Sequence, residues 1–111
     1  MAIDALVCEL LPNVLLWFAV DANDCPLAFM FICDGHMEAL FVDPVAHGSG
    51  IGTALVHHGL SLNANMTTDV NEQNLQALSF YKNMGFRSIG RSPVDGQGRP
   101  YPIVHLKHIE R

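Results

Sequence analysis

Apolar residues stand at positions 3, 6, 7, 10 and 11, and this spacing predicts a helix over residues 2–11, ended by Pro12-Asn13. Val14–Val20 is a continuous apolar run with β-branched and aromatic members, which predicts a buried strand. A turn cluster at 21–26 leads into a second run, Pro26–Cys33. Asp34-Gly35 between two such runs is hairpin chemistry, so His36–Val42 is expected to return antiparallel to its predecessor. The pattern changes at Asp43-Pro44, where a glycine-rich stretch opens a helical segment that runs to about Asn63. Residues 66–70 predict a short strand. From Asn71 the period is helical again, with Ala77, Phe80, Tyr81 and Met84 on one stripe. Gly85 suits the left-handed position just past that helix, and Phe86 supplies its hydrophobic contact. Two last strands are expected at 86–91 and 103–109, joined by a loop rich in Pro and Gly. The predicted order is α-β-β-β-α-β-α-β-β in a single domain spanning 1–111.

Composition narrows the class of protein. The chain has 111 residues, half of them apolar, and a mean hydropathy of +0.22, which suits a folded core and not a disordered chain. Its longest apolar runs are far short of the ~20 residues of a membrane helix, so no membrane partner is expected. The first Lys or Arg is Lys82, so no signal-peptide basic region is read. Three cysteines without metal-ligand spacing (Cys8, Cys25, Cys33) read as reduced core thiols in a cytoplasmic protein. Residues 1–80 carry nine acids and no Lys or Arg, and the basic residues are confined to the C-terminal third. A net charge of −5 argues against a nucleic-acid partner, which needs a basic footprint.

The sharpest chemical feature is His47-Gly48-Ser49-Gly50-Ile51-Gly52-Thr53. A strand that enters a helix through a glycine-rich turn presents several unpaired N–H groups, with the positive end of the helix dipole behind them. Such a turn can cradle a diphosphate without lysine. Its glycines could equally serve close packing of a tight turn. No Lys-Ser or Lys-Thr follows, which excludes a P-loop. A dinucleotide fingerprint fits poorly. Asp69 lies near the required distance, but Thr53 replaces the third glycine and the preceding strand closes an antiparallel hairpin. His57 and His58 sit in the helix after the loop, on its expected outer face, and no spacing supports a metal site. Asp95-Gly96-Gln97-Gly98 reads as a hairpin turn.

Leu40-Phe41-Val42-Asp43-Pro44 followed by His47-Gly48-Ser49-Gly50-Ile51-Gly52 resembles the acetyl-CoA signature of the GNAT acetyltransferases. A second signature follows in the right order, as Asn74, Ala77, Phe80-Tyr81 and Gly85-Phe86. The resemblance covers about residues 14–109. It implies an α/β (α+β) fold with a mixed, mostly antiparallel central sheet flanked by helices. It also implies N-acetyl transfer from acetyl-CoA to a primary amine by direct attack. By the same resemblance, Leu40, Phe41 and Val42 pair with the pantetheine amides, where the strand splays from its neighbour at a bulge. The amides of Gly48, Ser49, Gly50, Ile51, Gly52 and Thr53 hold the pyrophosphate beside His47, and Asn74 faces the pantetheine arm. Tyr81 occupies the place of the acid that protonates the leaving thiolate. Glu38 and His36, two apart on one strand and so expected on one face, resemble positions where the family carries its base; water is the alternative.

The chain departs from the family in two places. Position 47, usually Arg or Gln, is His, which keeps a donor and loses a fixed charge. The usual first strand and first helix are missing, because the chain opens in what resembles the tail of the second helix. Val14–Val20 would then be an apolar sheet edge, which predicts a homodimer that covers it. The acceptor is a small-molecule or peptide amine. The competing reading is a CoA- or acyl-CoA-binding module without transferase activity.

Overall fold

The structure, a computed structural model, describes residues 5–11 and 14–109. Its elements are β1 (Ala5–Leu11), β2 (Val14–Val20), β3 (Pro26–Cys33), β4 (His36–Val42), a 3₁₀ turn (Pro44–Ala46), α1 (Ile51–Leu62), β5 (Thr67–Asn71), α2 (Leu75–Asn83), β6 (Phe86–Ser92) and β7 (Ile103–His108). They form two compact units, Met1–Asn63 and Ala64–Arg111.

The first unit is an antiparallel meander, β1-β2-β3-β4, with α1 against β3. Asp34 and Gly35 both adopt positive φ, +49° and +79°, as a two-residue hairpin of right-handed twist requires. Glycine suits position 35 because its φ of +79° strains any residue with a Cβ. Ala28, Met30 and Ile32 alternate along β3, point toward α1, and meet Ile51, Leu55 and Val56 in a buried core. Each large side chain so buried contributes about 1.5–3 kcal/mol of transfer free energy. Gly59 lets the helix approach: a Cβ would stand 3.2 Å from Ile32 Cδ1 and Met30 Cε.

Two expectations fail here. Residues 5–11 are not helical but form β1, paired residue for residue with β2 from Ala5↔Val20 to Leu11↔Val14. A ten-residue helix is marginal by itself, whereas the open ladder of β2 pairs the facing backbone groups of a strand laid beside it. The expected break at Pro12-Asn13 lies outside the described residues. As a result, β2 has a neighbour on both sides and is not a sheet edge, so the reason for a homodimer falls away.

The second unit places β7 between β5 and β6, antiparallel to both, with α2 against β6. Met66, Val70, Tyr81, Phe86 and Leu106 are buried. Asn74 caps α2 by accepting a hydrogen bond from the Ala77 amide at 3.1 Å, so the helix begins at Leu75 and not at Asn71. Gly85 follows α2 at φ +98°, as the sequence predicts. The expected turn at 95–98 is organised by Asp95. Its carboxylate accepts from the amides of Gln97 and Arg99, both at 2.9 Å, and from Arg99 Nε at 2.7 Å. These bonds, the Arg99 amide first, hold the Asp95 carboxyl below its ordinary value.

Candidate active site

The glycine turn lies wholly in the first unit. Asp43 starts it, its side chain accepting from the Val45 amide at 3.0 Å to cap the 3₁₀ turn. His47 folds back on the strand, and its Nε2 donates to the Val42 carbonyl at 2.9 Å. Position 47 therefore pins the turn to β4. Ser49 spends both its amide and its hydroxyl on the Ala46 carbonyl. Among the described residues, no backbone carbonyl outside the helix takes the amides of Gly48, Gly50, Ile51, Gly52 or Thr53. The first turn of α1 offers them none inside, and the N-cap, Gly50, has no capping side chain.

Gly48 and Gly50 sit at φ +78° and +85°, and nothing lies within 4 Å of where a Cβ would stand on either. Their glycines are therefore needed for backbone angle and not for close packing. Amides left without a backbone partner at a helix N-terminus are the donors that an anion such as a phosphate takes.

On β4, Leu40 and Val42 lie opposite Met30 and Ala28, and Phe41 stacks on Phe29 at 5.6 Å while half exposed. The register runs Phe31↔Ala39 and then Ile32↔Met37, so Glu38 is the extra residue of a β-bulge. The bulge breaks the strict alternation from which a shared face with His36 was inferred. Glu38 is exposed, and His36, opposite Cys33, is half-buried.

Tyr81 lies in the second unit, 8% exposed, edge-on to Phe80 at 5.1 Å and to Phe86 at 5.3 Å. Burial among these rings pushes its phenol up to about 12, because the phenolate would lose its hydration there. Asn74 uses only its side-chain oxygen for the α2 cap, so its amide nitrogen is not part of that bond.

His58 corrects an expectation. It does not face outward but packs edge-on against Trp17, ring centres 4.1 Å apart, because the α1 stripe that buries Leu55 also carries position 58 toward the sheet. His57 is exposed.

One constellation escaped the sequence reading. Asp69, His105 and Ser92 stand in a row across β5, β7 and β6, joined by contacts of 2.6 and 2.7 Å. The only signal was the period-2 pattern of three separate strands. It becomes informative once the register sets Asp69 opposite His105.

The GNAT acetyltransferase domain family matches residues 9–101. The peptidyl-lysine N-acetyltransferase YjaB of Salmonella typhimurium is 51% identical over 104 residues, which are 94% of this chain and 72% of that one. The solution structure of apo-form YjaB from Escherichia coli superposes with a TM-score of 0.80 at 49% identity, over 86% of this chain and 65% of that one. An acetyltransferase of Bacillus anthracis, solved with acetyl coenzyme A, matches the fold alone, with a TM-score of 0.79 at 16% identity over 91% of this chain and 65% of that one.

Proposed function

Because the chain belongs to the GNAT acetyltransferases, we propose that it transfers the acetyl group of acetyl-CoA to a primary amine, and specifically to a peptidyl lysine. The single observation that supports this reading is the glycine turn, where Gly48 and Gly50 are left-handed and the amides of Gly48, Gly50, Ile51, Gly52 and Thr53 have no backbone partner outside the helix among the described residues. The name of the half-identical relative supports the lysine acceptor.

Acetyl-CoA supplies a thioester, an acetyl group already activated toward an amine. The amides of Gly48, Gly50, Ile51, Gly52 and Thr53 hold the pyrophosphate, and the Ser49 and His47 bonds keep the turn in shape. In this reading the backbone of β4 at Leu40–Val42 pairs with the pantetheine amides, and Asn74 contributes to holding the same arm. A backbone N–H near Leu40 polarises the thioester carbonyl. Glu38, re-aimed by the bulge, takes the proton of the incoming ammonium directly or through water, with His36 as the other base. Tyr81 donates to the departing sulfur. With its phenol near 12, Tyr81 remains protonated throughout the working range, whereas an ordinary thiol titrates at ~8.5. The dry surroundings that raise the phenol raise a thiol as well, which narrows the gap the proton must cross.

A net charge of −5 supports a protein that works away from nucleic acid. No helix among the described residues is long and apolar enough to cross a membrane. Cys25 is exposed and Cys33 half-buried, so neither is the core thiol expected, and the cytoplasmic reading rests on the odd cysteine count alone.

The test is thermal unfolding with acetyl-CoA, using NAD as control, followed by mass detection of an acetylated lysine peptide. Saturation at 100 times the dissociation constant adds about 2.7 kcal/mol. The expected result is a shift with acetyl-CoA alone, together with an acetylated peptide. A shift without acetylated peptide would leave an acyl-CoA-binding module, and no shift would end the reading.

A further inference from the structure

Asp69 on β5, His105 on β7 and Ser92 at the end of β6 form a hydrogen-bonded row within the second unit. His105 Nδ1 lies 2.6 Å from Asp69 Oδ1, and His105 Nε2 lies 2.7 Å from Ser92 Oγ. The carboxylate can only accept, so Nδ1 carries a proton, and in the neutral imidazole Nε2 then keeps its lone pair. The Ser92 hydroxyl is then the donor to Nε2. This is the tautomer and direction of bonding that turns a serine into a nucleophile, and it arises here on three antiparallel strands. The row is open to a reagent: the His105 and Asp69 side chains are 35% and 45% exposed, and Ser92 is half-buried at the mouth of the 92–102 loop.

We propose that Ser92 is an activated nucleophile that becomes covalently acylated by activated acyl esters and thioesters, with His105 as its general base and Asp69 as a positioning residue. In the step, Ser92 Oγ forms a bond to the acyl carbon. Its proton passes to His105 Nε2, and the leaving oxygen or sulfur departs with the bonding pair. The imidazolium, held by Asp69, then gives its proton to the departing group or to water. The residue after the nucleophile is Pro93, which has no N–H to hold the oxyanion. Turnover is therefore slow, and the signature is a stoichiometric adduct.

The full chain is incubated with a fluorophosphonate, whose phosphorus takes the place of the acyl carbon and whose leaving group is fluoride, and in parallel with p-nitrophenyl acetate. The expected result is one adduct per chain, mapped to Ser92 by peptide mass, and a burst of about one equivalent of p-nitrophenol. Ser92→Ala abolishes both. His105→Ala slows labelling by about 10²-fold or more, the usual worth of a general base. Asp69→Asn, which keeps the shape but releases the tautomer, slows it more than about tenfold. Melting curves of the variants confirm that each is folded. No adduct on Ser92, an adduct on another residue, or equal labelling rates in folded His105→Ala would overturn the proposal. Neither reagent engages the acetyl-CoA cradle, so failure here is distinct from failure of the transferase reading.

Discussion

The turn that opens α1 and the corner that closes α2 use glycine for opposite ends. At Gly48 and Gly50 the backbone is left-handed and the space beyond is empty. At Gly85 it is left-handed too, at φ +98°, but a Cβ would meet His108 Nε2 at 3.0 Å. That histidine is itself fixed, with Nδ1 2.9 Å from the Ala64 carbonyl and its ring edge-on to Phe86. A glycine whose missing side chain leaves empty space is there for its backbone angle, and the proposed function puts a ligand's phosphates at that turn. A glycine whose missing side chain is occupied by a neighbour serves the fold. The same backbone angle therefore carries different information, depending on what stands in front of it.

The most severe test of this contrast is Tyr81, a buried aromatic of the packed corner for which a role in the reaction is proposed. Tyr81→Phe is expected to lower the rate of lysine-peptide acetylation by about 10²-fold or more while the melting temperature stays nearly constant. A collapse in melting temperature with unchanged rate per folded molecule would return Tyr81 to the core alone. Next comes Gly85→Ala, which adds left-handed strain to the contact with His108. Chemical denaturation should show a loss of about 2–3 kcal/mol, with acetyl-CoA affinity of the folded fraction unchanged. Gly50→Ala should reverse that pattern. Stability falls by only about 1–2 kcal/mol, the cost of the angle. Titration with acetyl-CoA should show affinity weakened about tenfold, as one misaimed amide is worth about 1.4 kcal/mol.

The last effect is set by pH. The buried phenol of Tyr81 titrates near 12 when folded and near its ordinary value of 10 when unfolded. Between those values the unfolded chain has lost the proton and the folded chain keeps it, so Tyr81's contribution to stability is full below pH 10 and is lost as pH rises toward 12. Melting temperatures across pH 9 to 12 should fall in wild type, with a smaller fall in Tyr81→Phe. An alkaline limb of the rate profile below pH 10 must then belong to another group, and it should persist unmoved in any active Tyr81 variant.

Much of this was legible along the chain. The alternation of Ala28, Met30 and Ile32, the Asp34-Gly35 turn, the α2 stripe ending at Gly85 and the glycine turn each have a local cause. Turn chemistry, the period of burial and left-handed backbone are written within a few residues. The two acetyltransferase signatures were legible for the same reason. Residues 5–11 were not, because their apolar spacing fits a helix and only the unpaired ladder of β2 makes a strand the better partner. Nor was the place of Glu38, since a bulge belongs to two strands at once.

The sequence by itself therefore determined the elements after the first, their turns and the left-handed glycine turn, because those depend on forces that act over one to four residues. Only the tertiary structure decided that β2 is flanked on both sides, that His58 faces Trp17, that Tyr81 is buried deeply enough to hold its proton, and that Asp69, His105 and Ser92 meet in one row. Each of these depends on strand register or burial, and a shift of a single residue in register would send every side chain of a strand to the other face.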